Sequence, residues 1–249
     1  MGRTYMGKSF PETRWSLIVS LREGDEQTAV DAMERICHDY WLPLYSFLRI
    51  KGDSQERAED IVQGFFLDML TRDGFAQIET PDTGTEKKLR SFLLACLKNY
   101  RAKVYRAETA EKRGGKDLPV TIDTEMAERR LADVTSHQND PEKAYDQAWA
   151  LNLIRHATSQ VERDYAGRGK EEVFQALEPL LAWNATSGGA TYAEVASSLG
   201  TNEQSVKTGV HRLRKRVREA IKNEIARTID SDEAENVEEE LVSLFAALG

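Results

Sequence analysis

Between Lys207 and Lys222, seven lysines and arginines share sixteen residues with a single acid, Glu219. The whole chain nevertheless carries a formal net charge of −8. A charge run can be no more than a solvated helix face. A local basic stripe on an acidic protein, however, points to a local polyanion partner, and nucleic acid is the common one. Enzyme chemistry finds no comparable foothold. There is no His-Glu-x-x-His, no Cys-x-x-Cys and no Gly-x-x-x-x-Gly-Lys phosphate loop. The histidines His38, His137, His156 and His211 are scattered, so neither a metal nor another cofactor is expected. Gly167-Arg168-Gly169-Lys170 lacks the spacing to cradle a phosphate and reads as a turn between helices.

The elements that must hold the basic stripe can be read locally. Thr191 and Glu194 form a capping box, which starts a short helix at about Tyr192 with Ala193, Val195, Ala196 and Leu199 on its apolar side. Gly200 suits the left-handed residue that ends it. Thr201 or Asn202 can cap a second helix. There Val206, Val210, Leu213, Val217 and Ile221 recur at helical spacing, and Lys207, Thr208, His211, Arg212, Lys215 and Arg218 fall on other faces. Short helix, glycine turn and longer basic helix is the layout of a helix-turn-helix that sets its second helix in a DNA major groove.

Earlier in the chain, Ala29, Met33, Ile36, Cys37 and Tyr40 keep helical spacing, followed by an aromatic-rich stretch around Pro43 that Gly52 ends. Asp53 with Glu56 predicts a capping box for a helix that turns Ala58, Ile61, Val62, Phe65, Phe66, Met69 and Leu70 inward and Glu56, Glu59, Asp60 and Gln63 outward. A loop at Thr80 to Gly84 leads to a long helix, from about Thr85 to Arg113, whose second half holds Lys98, Arg101, Lys103 and Arg106. Residues 116–140 read as a polar linker with a transient helix around Glu125 to Leu131. Further helices are expected from Pro141 to about Tyr165 and after Gly169. No segment alternates convincingly as a strand would. The reading is all-α: an extension over 1–24, a helical domain over 25–115, the linker, a second helical domain over 141–228, and an acidic amphipathic tail over 229–249. Cys37 and Cys96 read as buried free thiols, no stretch reaches the ~18 apolar residues of a membrane span, and no signal peptide is visible, so a soluble cytoplasmic protein is expected.

Two stretches resemble a known family. Arg57 to Leu70, RAEDIVQGFFLDML, is similar to the acidic amphipathic helix by which bacterial sigma factors of the extracytoplasmic-function group grip core RNA polymerase. Ala193 to Ile221 is similar to the promoter −35 reader of the same family. The resemblance covers about Ala29 to Arg113 and about Trp149 to Ile225. It implies that Glu56, Glu59, Asp60 and Gln63 meet the polymerase, where exposed carboxylates on a rigid helix can pair bidentately with arginines. It implies that the long helix captures the −10 strand: Asn99 would meet a flipped base, Lys98, Arg101, Lys103 and Arg106 would hold the backbone, and Thr83 to Lys88, with Lys87 and Lys88, would form the pocket loop. Phe92 stands where the family usually has tryptophan and is expected in the core. Ser205, Lys207, Thr208, His211, Arg212 and Lys215 match positions that meet −35 DNA. Lys207 and Arg212 can read guanine edges or hold phosphates, while Lys215 and Arg218 reach phosphates or solvent. The implied partners are core RNA polymerase and promoter DNA, with room for an anti-sigma factor and none for a membrane.

The chain departs from the family pattern at Glu178-Pro179-Leu180, where a Leu-Pro-rich start is usual, at Gly64, where an acid is usual, and at Gly209, where a larger residue is usual. A polymerase-independent regulator with the same helix-turn-helix, and a helical adaptor that binds protein only, remain the alternatives. For the tail there are two readings: its acids lie over Lys207 to Arg218 and mask them, or it simply completes the hydrophobic core.

Overall fold

The computed structural model describes residues 25–70, 89–108, 124–134, 140–181, 190–227 and 234–248. Among these the fold is nearly all helical, and no strand occurs. Helix α1, Glu26–Ile50, is capped by Asp25, whose carboxylate accepts from the Thr28 amide at 2.8 Å. It continues straight through Pro43, where the sequence suggests a separate segment. A proline inside a helix costs about 3 kcal/mol. Tyr40, Leu44, Tyr45, Phe47 and Leu48 are each at most 1 % exposed here. Burying side chains of this size contributes about 1.5–3 kcal/mol apiece, which outweighs the break.

Helix α2, Gln55–Leu70, buries Ala58, Ile61, Val62, Phe65, Phe66 and Met69, the inward set expected from the spacing save Leu70, which is half-buried. Its cap is Ser54, not Asp53: the Arg57 amide donates to Ser54 Oγ at 3.3 Å. Helix α3 spans Leu89–Glu108. Phe92, expected in the core, is only half-buried. Gly64 of α2 lies beneath the Tyr100 hydroxyl of α3, and a Cβ there would collide with it. Close helix packing thus accounts for glycine at this position.

The expected linker contains a docked helix, α4, Thr124–Val134. Leu131 and Val134 are buried, and Glu128 accepts hydrogen bonds from the Tyr45 hydroxyl and from Arg49 Nε, the latter at 3.0 Å. Helix α5, Pro141–Ala166, starts as read: Asp140 Oδ1 accepts from the Glu142 amide at 3.0 Å and Pro141 occupies the first turn, where its missing donor costs nothing. It ends at Ala166, and Gly169, φ +67°, with the Lys170 amide bonded to Tyr165 O, makes the Gly167–Lys170 stretch the expected turn. Helix α6, Glu171–Leu177, and a 3-10 turn, Glu178–Leu180, follow. Then come α7, Tyr192–Ser198, α8, Glu203–Ala226, and α9, Ala234–Ala247.

The chain divides into two compact units, Met1–Ala150 with Ile225–Gly249, and Leu151–Glu224. These borders differ from those drawn at 115 and 141: the first turns of α5 and the C-terminal helix belong with the first unit. The C-terminal helix carries buried Leu241 and Leu244, and its Glu240, 1 % exposed, pairs with Arg90 of α3. Of the two readings of the tail, this contact supports the one in which it completes the core of the first unit. No helix among the described residues is long and apolar enough to cross a membrane.

Candidate nucleic-acid interface

The second unit presents its basic helix through local chemistry. Both halves of the Thr191–Glu194 capping box form: the Thr191 amide donates to Glu194 Oε2 at 2.7 Å and the Glu194 amide donates to Thr191 Oγ1 at 3.3 Å. These bonds favour the charged form and hold the Glu194 carboxyl below its usual range. Helix α7 ends in a Schellman turn, with the Thr201 amide on Ala196 O at 2.9 Å, the Gly200 amide on Ser197 O at 3.3 Å and Gly200 at φ +61°. Asn202 then caps α8, its Oδ1 accepting from the Ser205 amide at 2.8 Å.

Helix α8 is two-sided. Val206, Val210, Leu213, Val217 and Ile221 are at most 2 % exposed. Gly209 faces Leu177 of α6, whose Cδ1 would stand 3.0 Å from an added Cβ, so the small residue makes room for packing. The basic residues divide by role. Arg214 donates to Leu180 O at 2.9 Å and Arg216 lies 5.2 Å from the Tyr165 ring centroid, which ties the helix to its own unit. Ser205, Lys207, Thr208, His211, Arg212 and Lys215 are all exposed. Lys207 is 4.0 Å from Glu203 and near the Tyr192 ring, a loose arrangement, and the Thr208 hydroxyl donates back to Gln204 O at 2.9 Å. Among the described residues, no ion pair engages His211, Arg212 or Lys215. Residues 207, 211, 215 and 218 follow helical spacing and are all exposed, so Lys207, Lys215 and Arg218 put positive charge along one side of the helix with His211 among them, while Lys222 one turn on is half-buried.

In the first unit the expected contacts are placed differently. Glu56 and Asp60 are exposed, and Glu59 and Gln63 are half-buried. Gln55 Nε2 donates to Glu59 Oε1 at 3.1 Å. Glu56 and Asp60 line a pocket of about 300 Å³ between α2 and α3, together with Ser54, Arg57, Ile61, Tyr100 and Val104. On α3, Asn99 is exposed, as a base-reading amide would have to be. Lys98 pairs with Glu142, and Lys103 with Asp68 at 3.1 Å; Arg106 is exposed. Lys87 and Lys88, with the rest of the pocket loop from Thr83, lie outside the described residues.

Arg101 is not available for a strand. Its Nε and Nη2 donate to Asp53 Oδ2 and Oδ1 at 2.8 and 3.1 Å, and the Asp53 side chain is 1 % exposed. The Tyr105 hydroxyl donates to the same carboxylate at 2.6 Å, and Arg57 and Arg101 both sit against the Tyr105 ring. Burial alone would raise the Asp53 carboxyl. Hydrogen bonds from Arg101 and Tyr105 and the charges of Arg101 and Arg57 outweigh it and hold the group below the usual range. This cluster explains why Asp53 does not cap α2. Reading the sequence missed it because its members are up to 52 residues apart.

A second cluster stands at the first turn of α3. The Arg90 side chain is 14 % exposed; it pairs with Asp146 of α5 and Glu240 of α9, and it lies 4.8 Å from the Trp149 ring centroid. Burial works against its charge, but Glu240 and Asp146 outweigh that and hold the guanidinium above its usual range. The Asp146 carboxyl is raised, by burial first and by the nearby charges of Glu240 and Glu142, against the pull of Arg90. Burial pushes the Cys37 and Cys96 thiols up to about 12, so both stay protonated and inert. Set against family models, curated proteins and solved structures, the chain matches none of them.

Proposed function

We propose that this protein is a sigma factor: it binds core RNA polymerase and directs initiation at one class of promoter. In this reading α7, the Gly200 turn and α8 form the helix-turn-helix that reads duplex DNA at −35. Lys207 and Arg212 meet phosphates or guanine edges, Lys215 reaches phosphates, and Ser205, Thr208 and His211 also meet the DNA. Helix α2 offers Glu56, Glu59, Asp60 and Gln63 to the polymerase, and α3 captures the −10 strand with Asn99 on a base and Lys98, Lys103 and Arg106 along the backbone. The observation that carries the proposal is the two-sided α8: a sealed apolar face, a cap that fixes its start, and an opposite side on which Lys207, Arg212 and Lys215 are exposed. Lys98 and Lys103 can leave their present partners, because pairs at exposed sites contribute only about 0–1 kcal/mol.

One observation favours a second reading, a regulator that binds duplex DNA without polymerase. Arg101 is spent inside the fold, which removes one of the expected strand contacts. Co-elution with core RNA polymerase separates the two. A sigma factor forms a stable complex that Asp60→Ala weakens at least tenfold, and Asn99→Ala leaves assembly intact while reducing strand opening. Duplex binding at full strength without polymerase, indifferent to Asp60→Ala, would instead establish the regulator.

A further inference from the structure

We propose that the C-terminal helix α9 is a clasp on α3, with Glu240 as a positioning residue that fixes the first turn of α3 through Arg90. The inference rests on the reading that α3 captures a strand, and it gives the tail a part in that step.

Arg90 is held at both its main chain and its side chain. The Tyr145 hydroxyl donates to Arg90 O at 2.7 Å. The guanidinium spreads its donors over two helices, Nη1 to Asp146 on α5 and Nε with Nη2 to the two oxygens of Glu240 on α9, the Nη2 bond at 3.2 Å. The indole of Trp149 supports it from a centroid distance of 4.8 Å. A helix whose only task is to complete a core has no need for a buried acid. Two charges taken from water seldom gain net stability over a well-packed apolar pair, whereas a bidentate pair fixes orientation. Glu240 is the more deeply buried carboxylate, 1 % exposed against 39 % for Asp146, so water cannot replace it while α9 stays in place. A helix is stiff over two or three turns. Fixing the roll of α3 at Arg90 therefore fixes where Asn99, about two and a half turns on, points. Leu241 and Leu244, both at most 1 % exposed, seat α9 beside the pair.

The test uses the full-length chain with Glu240→Gln, and Asp146→Asn as a second variant in case the first does not fold. Hydrogen exchange across 89–96 is compared with exchange over α1 and α8. Affinity for a pool of random-sequence single strands and for a duplex pool is measured in the complex with core RNA polymerase. We expect exchange at the start of α3 to quicken about tenfold, and single-strand affinity to fall by a similar factor, with duplex affinity unchanged. Asp146→Asn gives the same pattern, smaller. Exchange that quickens equally over α1 overturns the proposal, because Glu240 would then serve only general stability. Unchanged exchange at 89–96 overturns it as well, as does faster exchange with unaltered strand affinity. If the wild-type complex ignores single strands while exchange still responds locally, the strand-capture reading fails and, with it, the positioning role.

Discussion

Helices α3 and α8 look alike on paper and differ in what they do with positive charge. Both are amphipathic, both run for 20 residues or more, and both carry basic residues at helical spacing. On α3 the cations have acidic partners: Arg90 with Glu240 and Asp146 and Arg101 with Asp53 are drawn inward, while Lys98 with Glu142 and Lys103 with Asp68 pair at the surface. On α8 Arg214 and Arg216 are turned to their own unit, and Lys207, Arg212 and Lys215 are exposed. A basic run is therefore not evidence of a polyanion partner until its acids are found. On α8, Arg212 and Lys215 pass that test, for among the described residues no ion pair engages either; on α3 the four cations named above do not.

The sharpest way to break this contrast is at Asp53. Asp53→Ala leaves Arg101 and Arg57 beside a buried site without their carboxylate, and should cost about 3–5 kcal/mol in denaturant unfolding of the first unit. Lys215→Ala on α8 should stay within about 0.5 kcal/mol. Similar losses at the two sites would erase the distinction between structural and surface cations. The sign with pH is also fixed. A carboxyl held below its usual range contributes stability that is present above the unfolded value, near ~3.9, and lost as pH falls through the folded one. The stability gap between wild type and Asp53→Asn should therefore be flat from pH 8 to pH 5 and close only at more acid pH. A gap that narrows near neutrality would contradict the assignment.

Next in size are the turn and cap that present α8. Gly200→Ala forces a side chain into φ +61° and should cost about 1–2 kcal/mol. Asn202→Ala removes the cap and should cost about 1 kcal/mol. Thermal unfolding measures both, and neutral results would mean that the turn is not what orients α8. The smallest effect on stability belongs to Lys98→Ala and Lys103→Ala, each below about 1 kcal/mol. Their consequence lies in the slope of single-strand affinity against salt, which each should lower by about 0.7, the contribution of one strand phosphate. An unchanged slope would strip α3 of its part in binding.

What could be read from the sequence followed locality. The Thr191–Glu194 box, the Gly200 turn, the Asn202 cap and the apolar rows of α2 and α8 are set by neighbours a few residues apart, and save for Leu70 at the end of α2 they appear where the spacing puts them. Asp53 shows the limit. Its spacing to Glu56 fits a capping template, but Arg101 and Tyr105, about fifty residues on, take the carboxylate, and Ser54 caps instead. Helix α4 was hard to read because its composition is polar; two apolar residues and the reach of Glu128 to α1 dock it. The link from Arg90 to Glu240 spans 150 residues and leaves no local trace.

The central claim is that α8 selects promoters for core RNA polymerase. Transcription of genomic DNA in vitro by core enzyme, with and without this protein, followed by sequencing of the new 5′ ends, tests it directly. The account predicts a set of starts that depends on the protein and shares one motif near −35, lost with the double substitution Lys207→Ala and Arg212→Ala. Starts identical to those of core enzyme alone, or a shared motif that survives that substitution, would contradict it.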